Sequence, residues 1–374
     1  MPMPWETWLD MLRRPLPHHP RRIILIKSHS AGIGDILRSS AAWAVLKKRW
    51  PDAELHLIFL TRWPGYPSEE LISGHHLLHS AHFLPLQESR FAGMRGVGPK
   101  GWRSLLPELR RLGREIRPDL IVDHEPHGIE TAIASRILRA QSHHAATVGV
   151  AQVLGRGLFY DHAGPSFARY ARERALPLPM DYTERDFAAL AALGLEREEQ
   201  QINLIETEAG RAWRLANLSR FDDRHVLGLN IGCGTPGAEY RRPSIDLLVE
   251  SLGPVYLPQN VVIVLSGSPA EKYINMRFIS DYRRRWGGGR NIIDYAGMTS
   301  LGELTGLISG CHVFVSSDSG PYHMSVALAV PTVVLFQENF PSAYHKQRGV
   351  HILVAPTTDI LGDLLFKKFN GSSQ

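Results

Sequence analysis

The stretch VFVSSDSGPYHMSVALAVPTVVLF, residues 313–336, places an acidic, glycine-bearing turn between two apolar runs. The runs 311–317 and 331–336 have the composition of buried strands, and 321–329 between them has a helical pattern. A strand, a helix and a second strand predict a βαβ unit of a parallel sheet. The polar turn then lies at the carboxyl end of a strand, where open α/β sheets bind ligands.

Strand and helix patterns alternate on both sides of this unit. Runs at 23–27, 53–60 and 119–124 predict the strands of a first series, and runs at 225–231 and 260–267 begin a second series. One hydrophobic core rarely extends over 374 residues. The sequence therefore predicts an α/β protein with two Rossmann-like domains built on parallel sheets.

The domain boundary is expected in the segment 155–225, which is rich in Arg, Ala and Leu and mostly helical. The predicted domains are residues 1–205 and 206–355. Residues 356–374 are predicted to form a last amphipathic helix and a tail, and packing back on the N-terminal domain is one option for them.

Composition and charge indicate a globular protein and exclude some functional classes. The chain is 44% hydrophobic and 21% charged, as in globular proteins, and no apolar run approaches the roughly 20 residues of a membrane span. The first residues lack a secretory h-region, and Cys233 and Cys311 lie in or beside predicted buried strands, so we expect the cytoplasm. The net charge of +5 favours anionic ligands. The sequence has no basic strand interleaved with aromatics, so nucleic-acid binding is not predicted.

The N-terminal residues 5–12 have the pattern of a short amphipathic helix followed by basic residues. Such a helix fits peripheral contact with a membrane, here the inner face of the plasma membrane. Packing of the helix on its own domain is the favoured alternative.

The segment KSHSAGIGDILRSS follows the first predicted strand. Gly32 and Gly34 allow a tight turn, and Asp35 stands at or near the start of the next helix. The segment lacks the Gly-Lys-Ser/Thr of a P-loop and the third glycine of the dinucleotide fingerprint. Asp35 fits a helix N-cap or a catalytic base, and spacing alone favours the N-cap.

The segment LNIGCGTPGAEYRRPSID follows the first strand of the second series. Gly232 and Gly234 belong to an open loop, and Arg241 and Arg242 come shortly after it. Arginine offers planar paired donors, so the loop suits a diphosphate, although two solvated arginines fit the pattern equally well.

The polar turn between the predicted strand 311–317 and the predicted helix 321–329 has the features of an anion site. The backbone amides of Ser319 and Gly320 stand at a helix N-terminus, which attracts phosphate. Asp318 suits a role in orienting the loop or a sugar hydroxyl, whereas His323 either donates to a phosphate or satisfies the loop backbone, the favoured alternative. Glu271, in the first turn of another helix, favours the helix dipole or takes ribose hydroxyls, and the dipole is favoured.

The segment DHEPHG offers His124, Glu125 and His127 directly after a predicted strand. Their spacing matches no strong zinc pattern such as HExxH, so no metal is predicted. A polar loop that faces an interdomain cleft is the better interpretation.

Taken in order, these segments resemble the lipopolysaccharide heptosyltransferases of glycosyltransferase family nine. The similarity covers most of residues 22–340 and is strongest at the Asp-Ser-Gly-Pro-x-His signature of residues 318–323. The matching segments are HSAGIGDILRSSAAWAVLKKRWPDAELHLI, PDLIVDHEPHGIETA, LGLNIGCG with YRRPSIDLL, VVIVLSGSPAEK, and DYAGMTSLGELTGLISGCHVFVSSDSGPYHMSVALAVPTVVLF.

The resemblance implies a GT-B fold, in which two Rossmann-like domains with parallel sheets face each other across a cleft. The first domain would bind the acceptor and the second the nucleotide sugar. The implied reaction is inverting, metal-independent and cofactor-free transfer of a sugar, with ADP-heptose as the first donor, to a hydroxyl of a glycan, glycolipid or other acceptor in lipopolysaccharide core or related glycan assembly. The alternatives are another nucleotide sugar used on a protein or small molecule, or a non-catalytic GT-B scaffold.

The resemblance also implies roles for single residues. Asp35 falls where the family has its proposed general base. The other implied positions are the phosphate turn with its signature (Asp318, Ser319, Gly320, His323), the nucleoside contacts (Glu271, Met298, Thr299) and the acceptor side (Gly34, His124, Glu125, His127).

One position departs from the family pattern. Where the family commonly has the lysine of K-x-W-P, this chain has Tyr240, and Arg242 replaces the tryptophan. Arg241 and Arg242 are the candidates for the missing cation.

Overall fold

The structure, a computed structural model, describes residues 13–28, 32–61, 68–85, 88–91, 94–97, 99–198, 201–234 and 237–370. The chain forms two compact units, Met1–Ile202 and Asn203–Gln374. The amphipathic pattern at residues 5–12 lies outside the described residues. Within the described residues, no helix is long and apolar enough to cross a membrane.

The first unit is built on a six-stranded, all-parallel sheet. Its strands are β1 (Arg22–Ser28), β2 (Glu54–Thr61), β3 (Ser80–Pro85), β6 (Leu120–Asp123), β7 (Ala146–Val150) and β8 (His162–Gly164), and a separate antiparallel pair is formed by β4 (Glu88–Phe91) and β5 (Met94–Val97). The α-helices are α1 (Ile33–Arg49), α2 (Ser68–Ser73), α3 (Pro99–Ile116), α4 (Glu130–Arg139), α5 (Phe167–Glu173) and α6 (Glu184–Leu190).

Apolar residues on strands and helices form the core of this unit. Leu105, Leu109, Leu112 and Ile116 recur at three- and four-residue spacing, so they share one face of α3. They pack in one cluster with β1 residues such as Ile24. The strands read as nearly continuous apolar runs because helices cover a parallel sheet on both faces.

The second unit repeats the same plan. Its parallel sheet contains β9 (His225–Asn230), β10 (Val261–Ser266), β11 (Ile292–Asp294), β12 (Val313–Ser317), β13 (Thr332–Phe336) and β14 (Val350–Val354). Its α-helices are α7 (Glu208–Asn217), α8 (Ile245–Ser251), α9 (Lys272–Trp286), α10 (Leu301–Ser309), α11 (Gly320–Ala327) and α12 (Thr358–Asn370).

The core of the second unit includes the C-terminal helix. Leu361, Leu365 and Phe369 of α12 lie in one apolar cluster with Leu248 of α8 and Leu265 of β10. Through this cluster, α12 packs against the rest of the second unit, which precedes it in the sequence.

The two sheets confirm the predicted α/β class. Their strand orders are β3-β2-β1-β6-β7-β8 and β11-β10-β9-β12-β13-β14, which is the doubly wound Rossmann order in each unit. The chain direction across the sheet reverses between β1 and β6 in the first unit and between β9 and β12 in the second. Ligands of such sheets bind outside the carboxyl ends of the strands at this switch point.

Candidate active site

In the first unit, the switch point carries the two segments that the sequence analysis singled out. The chain after β1 leads into α1, and the chain after β6 carries His124, Glu125 and His127. Gly32 is the N-cap residue of α1, without a side-chain cap, so Asp35 lies in the first turn of the helix. The N-cap alternative for Asp35 is therefore wrong, because Gly32 occupies that position.

These side chains line one cavity of about 270 Å³. Asp35, His124, Glu125 and His127 all contribute to its wall, whereas Gly34 is buried in the first turn of α1. The remaining lining residues are Lys27, Arg38, Pro126, Tyr182, Arg185 and Asp186. The cavity is therefore rich in both carboxylates and cations.

A buried ion pair forms part of the cavity wall. The Nζ of Lys27, at the end of β1, lies 3.2 Å from Oδ1 of Asp186 on α6 and donates to the hydroxyl of Ser39 at 2.7 Å. The side chains of Lys27 and Asp186 are 9% and 3% exposed. Nδ1 of His124 lies 3.8 Å from the same Asp186 oxygen.

A second buried network fixes the loop after β6. Arg156 donates to Oδ2 of Asp123 at 2.8 Å, to the hydroxyl of Thr131 at 3.0 Å and to the carbonyls of Glu125 and Gly128. Oδ1 of Asp123 accepts from the backbone amide of Glu125 at 2.9 Å. One arginine thus holds the backbone of the loop after β6 at two points, the carbonyls of Glu125 and Gly128.

Burial sets the charge of the two central loop residues. It raises the pKa of Glu125 to about 8, with Lys27 acting against the rise. It lowers the pKa of His124 to about 4, although Asp186 favours the charged form. At neutral pH the carboxyl of Glu125 therefore keeps its proton and the imidazole of His124 is neutral.

We expect Glu125→Gln to change how stability depends on pH. Folded Glu125, with a pKa of about 8 against an ordinary 4.5, keeps a proton that the unfolded chain releases, so stability falls as pH rises through that range. His124 acts in the opposite direction only below 6.5. From pH 6.5 to 8, the variant should lose about 1–2 kcal/mol less stability than the wild type, measured by urea denaturation.

The control for this measurement is Glu198→Gln. Glu198 is an exposed carboxylate of the same unit, paired with Lys48 at the surface. Its removal should leave the pH slope of the wild type unchanged between 6.5 and 8. Identical slopes for Glu125→Gln and the wild type would contradict a protonated Glu125.

In the second unit, one asparagine joins three strand ends at the switch point. Asn230, the last residue of β9, donates from Nδ2 to the carbonyl of Gly232 at 2.9 Å and to the hydroxyl of Ser319 at 3.0 Å. Its Oδ1 accepts from Ser266 of β10 at 3.2 Å. The hydroxyl of Ser317 also donates to the Gly232 carbonyl. The glycine loop and the turn before α11 are thereby fixed to each other.

The carboxylate of Glu271 anchors the same glycine loop. Oε1 accepts from the amide of Gly234 at 2.8 Å, and Oε2 accepts from the amide and hydroxyl of Ser268 at 2.8 and 2.9 Å. A Cβ at Gly232 would approach Oε1 to 1.9 Å, so this contact requires glycine. Glu271 therefore serves the helix start and the loop, with both oxygens engaged.

The two arginines after the loop have different surroundings. Nη1 of Arg241 lies 3.4 Å from Oδ2 of Asp318, and both residues line a cavity of about 210 Å³. Arg242 instead donates to the hydroxyl of Tyr273 on α9 at 2.7 Å. Arg241 is thus the cation at the signature turn.

The other predicted residues lie on either side of this turn. His323 of α11 shares a hydrogen bond of 2.8 Å with His345 through its Nδ1. Met298 is exposed and Thr299 is half-buried, in the turn after β11. The amide of Gly297 donates to the carbonyl of Gly267 at 2.8 Å, so Met298 and Thr299 stand beside the turn that carries Glu271. Among the described residues, no group of three or more His, Cys, Asp or Glu side chains is arranged to hold a metal ion.

Residues 250–349, which include the signature turn, match the family model of glycosyltransferase family 9 (heptosyltransferase). The chain carries a glycosyltransferase family 9 domain. This domain identifies the protein as a glycosyltransferase. No curated protein matches the chain.

Solved heptosyltransferase structures share the fold class of this chain, the GT-B type with two Rossmann-like domains. ADP-heptose lps heptosyltransferase II of E. coli is 18% identical, with a TM-score of 0.63 over 94% of this chain and 98% of that chain. E. coli heptosyltransferase WaaC with ADP is 16% identical, with a TM-score of 0.62 over 93% and 99%. A family 9 glycosyl transferase from Veillonella parvula DSM 2008 is 14% identical, with a TM-score of 0.62 over 91% and 87%.

The structure brings to the candidate site several residues that the sequence analysis missed. In the first unit these are Lys27, Arg38, Arg185 and Asp186, which line the cavity with Asp35. Lys27 had a local signal, since a lysine at the end of a buried strand needs a partner. Asp186 lies 159 residues away from Lys27 and had no such signal.

Proposed function

We propose that the protein transfers a sugar, with inversion and without a metal, from a nucleotide sugar to an acceptor hydroxyl. The observation that carries the proposal is the cavity at the switch point of the first unit, where Asp35 lies among buried charged groups. The family 9 domain in the second unit supports it, because its signature turn has the form of a phosphate site.

Asp35 is the general base in this proposal. An acceptor hydroxyl that attacks the sugar must lose its proton, and a carboxylate in the acceptor cavity can take it. Glu125 is protonated at neutral pH, so it suits hydrogen bonding to the acceptor better than proton abstraction. The pair formed by Lys27 and Asp186 holds the strand end and the cavity wall in place.

The second unit stabilises the departing nucleoside diphosphate. Negative charge that develops on the leaving phosphate would meet the amides of Ser319 and Gly320 at the start of α11, together with Arg241. His323, in the first turn of α11, is proposed as a further donor. Gly232 and Gly234 let the loop after β9 approach the phosphates closely, and Glu271, Met298 and Thr299 mark the nucleoside side.

ADP-heptose is the first donor to test. The E. coli WaaC structures contain ADP or ADP-2-deoxy-2-fluoro heptose. We propose the assembly of lipopolysaccharide core or a related glycan as the setting, in the cytoplasm or at the inner face of the plasma membrane, with a glycan or glycolipid acceptor. Peripheral membrane contact by the N-terminal residues belongs to the same proposal.

Calorimetric titration with ADP, UDP and GDP tests the proposal directly. We expect preferential binding of ADP that survives EDTA, because amides and an arginine replace a metal in the proposed site. An ADP-heptose transfer assay then follows. Binding that EDTA abolishes would contradict the metal-free mechanism, and the absence of any nucleotide binding or transfer would contradict the proposed function.

Arg241→Met should weaken ADP binding about tenfold or more, because a hydrogen bond from a charged group to phosphate contributes about 1.5–3 kcal/mol. Arg242→Met is the matched control, since Arg242 donates to Tyr273 and not toward the signature turn. Its effect on ADP affinity should stay within about threefold. The reverse order of effects would assign the cationic role to Arg242.

A further inference from the structure

The cavity beside the signature turn has a wall that the proposed phosphate and nucleoside contacts leave unused. It lies in the second unit, at the carboxyl ends of the neighbouring strands β12 and β13. This wall is formed by residues 336–340, and Tyr240, Arg241 and Asp318 also line the cavity.

The order of the strands fixes what can reach this wall. The nucleoside candidates follow β10 and β11, the phosphate turn follows β12 next to β9, and residues 337–340 follow β13. With strands about 4.8 Å apart, the three intervals from β10 to β13 span about 14 Å. That is the scale of an extended nucleotide sugar, so a nucleotide bound in this order would bring the group attached to its outer phosphate to residues 337–340.

The side chains of this wall have the chemistry that sugars require. Gln337, Glu338 and Asn339 provide amide and carboxylate groups for hydroxyls, and Phe340 adds an apolar face. Nε2 of Gln337 is buried, with no hydrogen-bond partner among the residues that the structure describes. A buried donor without an acceptor is costly, and a rotation of the amide toward the cavity lets a ligand oxygen remove that cost.

Tyr344 holds the loop of residues 337–340 in place. Its hydroxyl donates to Oδ1 of Asn339 at 2.9 Å and accepts from the backbone amide of Phe340 at 3.0 Å. Its ring packs against Phe336 with the centroids 4.7 Å apart. The wall is therefore ordered before a ligand arrives, as a selective subsite requires.

We propose that residues 337–340 form the subsite that recognises the sugar of the donor, and that Gln337 and Glu338 decide which sugar is accepted. This inference rests on the proposed function, since it needs a diphosphate at the signature turn. A site that hydrogen-bonds a hydroxyl discriminates strongly against sugars that lack or reorient that hydroxyl.

The test compares ADP, ADP-glucose and ADP-heptose as ligands of the full chain in calorimetry. Gln337→Leu should leave the ADP affinity within about twofold and lower the affinity for the preferred ADP-sugar about tenfold. Glu338→Gln should change the ratio between the two ADP-sugars. The control is Gln347→Leu, the same substitution in the same unit, at an amide that donates to the carbonyl of Val326.

The outcomes separate this inference from the proposed function. If the wild type binds neither ADP nor an ADP-sugar, the proposed function fails. If the wild type binds both, and Gln337→Leu and Glu338→Gln lower ADP and ADP-sugar affinity equally or not at all, the sugar subsite is wrong while the proposed function stands. Melting temperatures of all variants show that each one is folded.

Discussion

Asp35→Asn is expected to lower the transfer rate about 10²- to 10⁴-fold, the usual contribution of a general base. Asparagine has nearly the shape of aspartate but cannot accept the proton of the acceptor hydroxyl. Nucleotide affinity should remain, because the proposed donor contacts all belong to the second unit. Turnover with saturating donor and calorimetry with ADP measure the two effects separately.

Two further variants decide how the loss is interpreted. Asp35 lies in the first turn of α1, where a negative charge also stabilises the helix by about 0.3–1 kcal/mol. Asp246→Asn removes an exposed first-turn carboxylate from α8 and should leave turnover unchanged. Glu125→Gln, in the cavity itself, should cost less than Asp35→Asn at pH 7. A larger loss for Glu125→Gln would transfer the role of the base to Glu125.

The fold followed from the sequence because local patterns agree with the tertiary structure. The predicted strand 311–317 and helix 321–329 match β12 and α11 to within a few residues. The strands at the sheet edges were not predicted from the sequence, and β3 is an example. Its run contains His82 and is only partly buried, so it lacks the continuous apolar pattern of a central strand.

The candidate site could be predicted only where its residues follow strands directly. Asp35 and Glu125 stand just after β1 and β6, and parallel strands that are neighbours bring such residues together. Asp186 and Arg156 arrive from distant helical segments whose sequence shows only ordinary charged residues. Glu271 shows a different limit, since the sequence placed it correctly at the start of a helix but gave no sign that Gly234 and Ser268 engage both of its oxygens.

Arg156→Met is expected to destabilise the first unit by about 3–5 kcal/mol, the typical cost of removing one partner of a buried ion pair. The side chains of Arg156 and Asp123 are 2% and 0% exposed. For a unit of this size, the loss corresponds to a fall in melting temperature of roughly 6–20 °C. Arg169→Met, which removes a surface pair with Glu173, should cost no more than about 1 kcal/mol.

The dependence of this loss on pH identifies its cause. Burial raises the pKa of Asp123, and Arg156 acts against that rise, so the pKa should rise further when Arg156 is removed. A protonated Asp123 needs no cation, which means that the cost of Arg156→Met should be smaller at pH 5 than at pH 8. The double variant Asp123→Asn with Arg156→Met should likewise recover part of the stability at pH 8. A loss that is equal at both pH values, without recovery in the double variant, would show that Arg156 acts through packing and its carbonyl contacts alone.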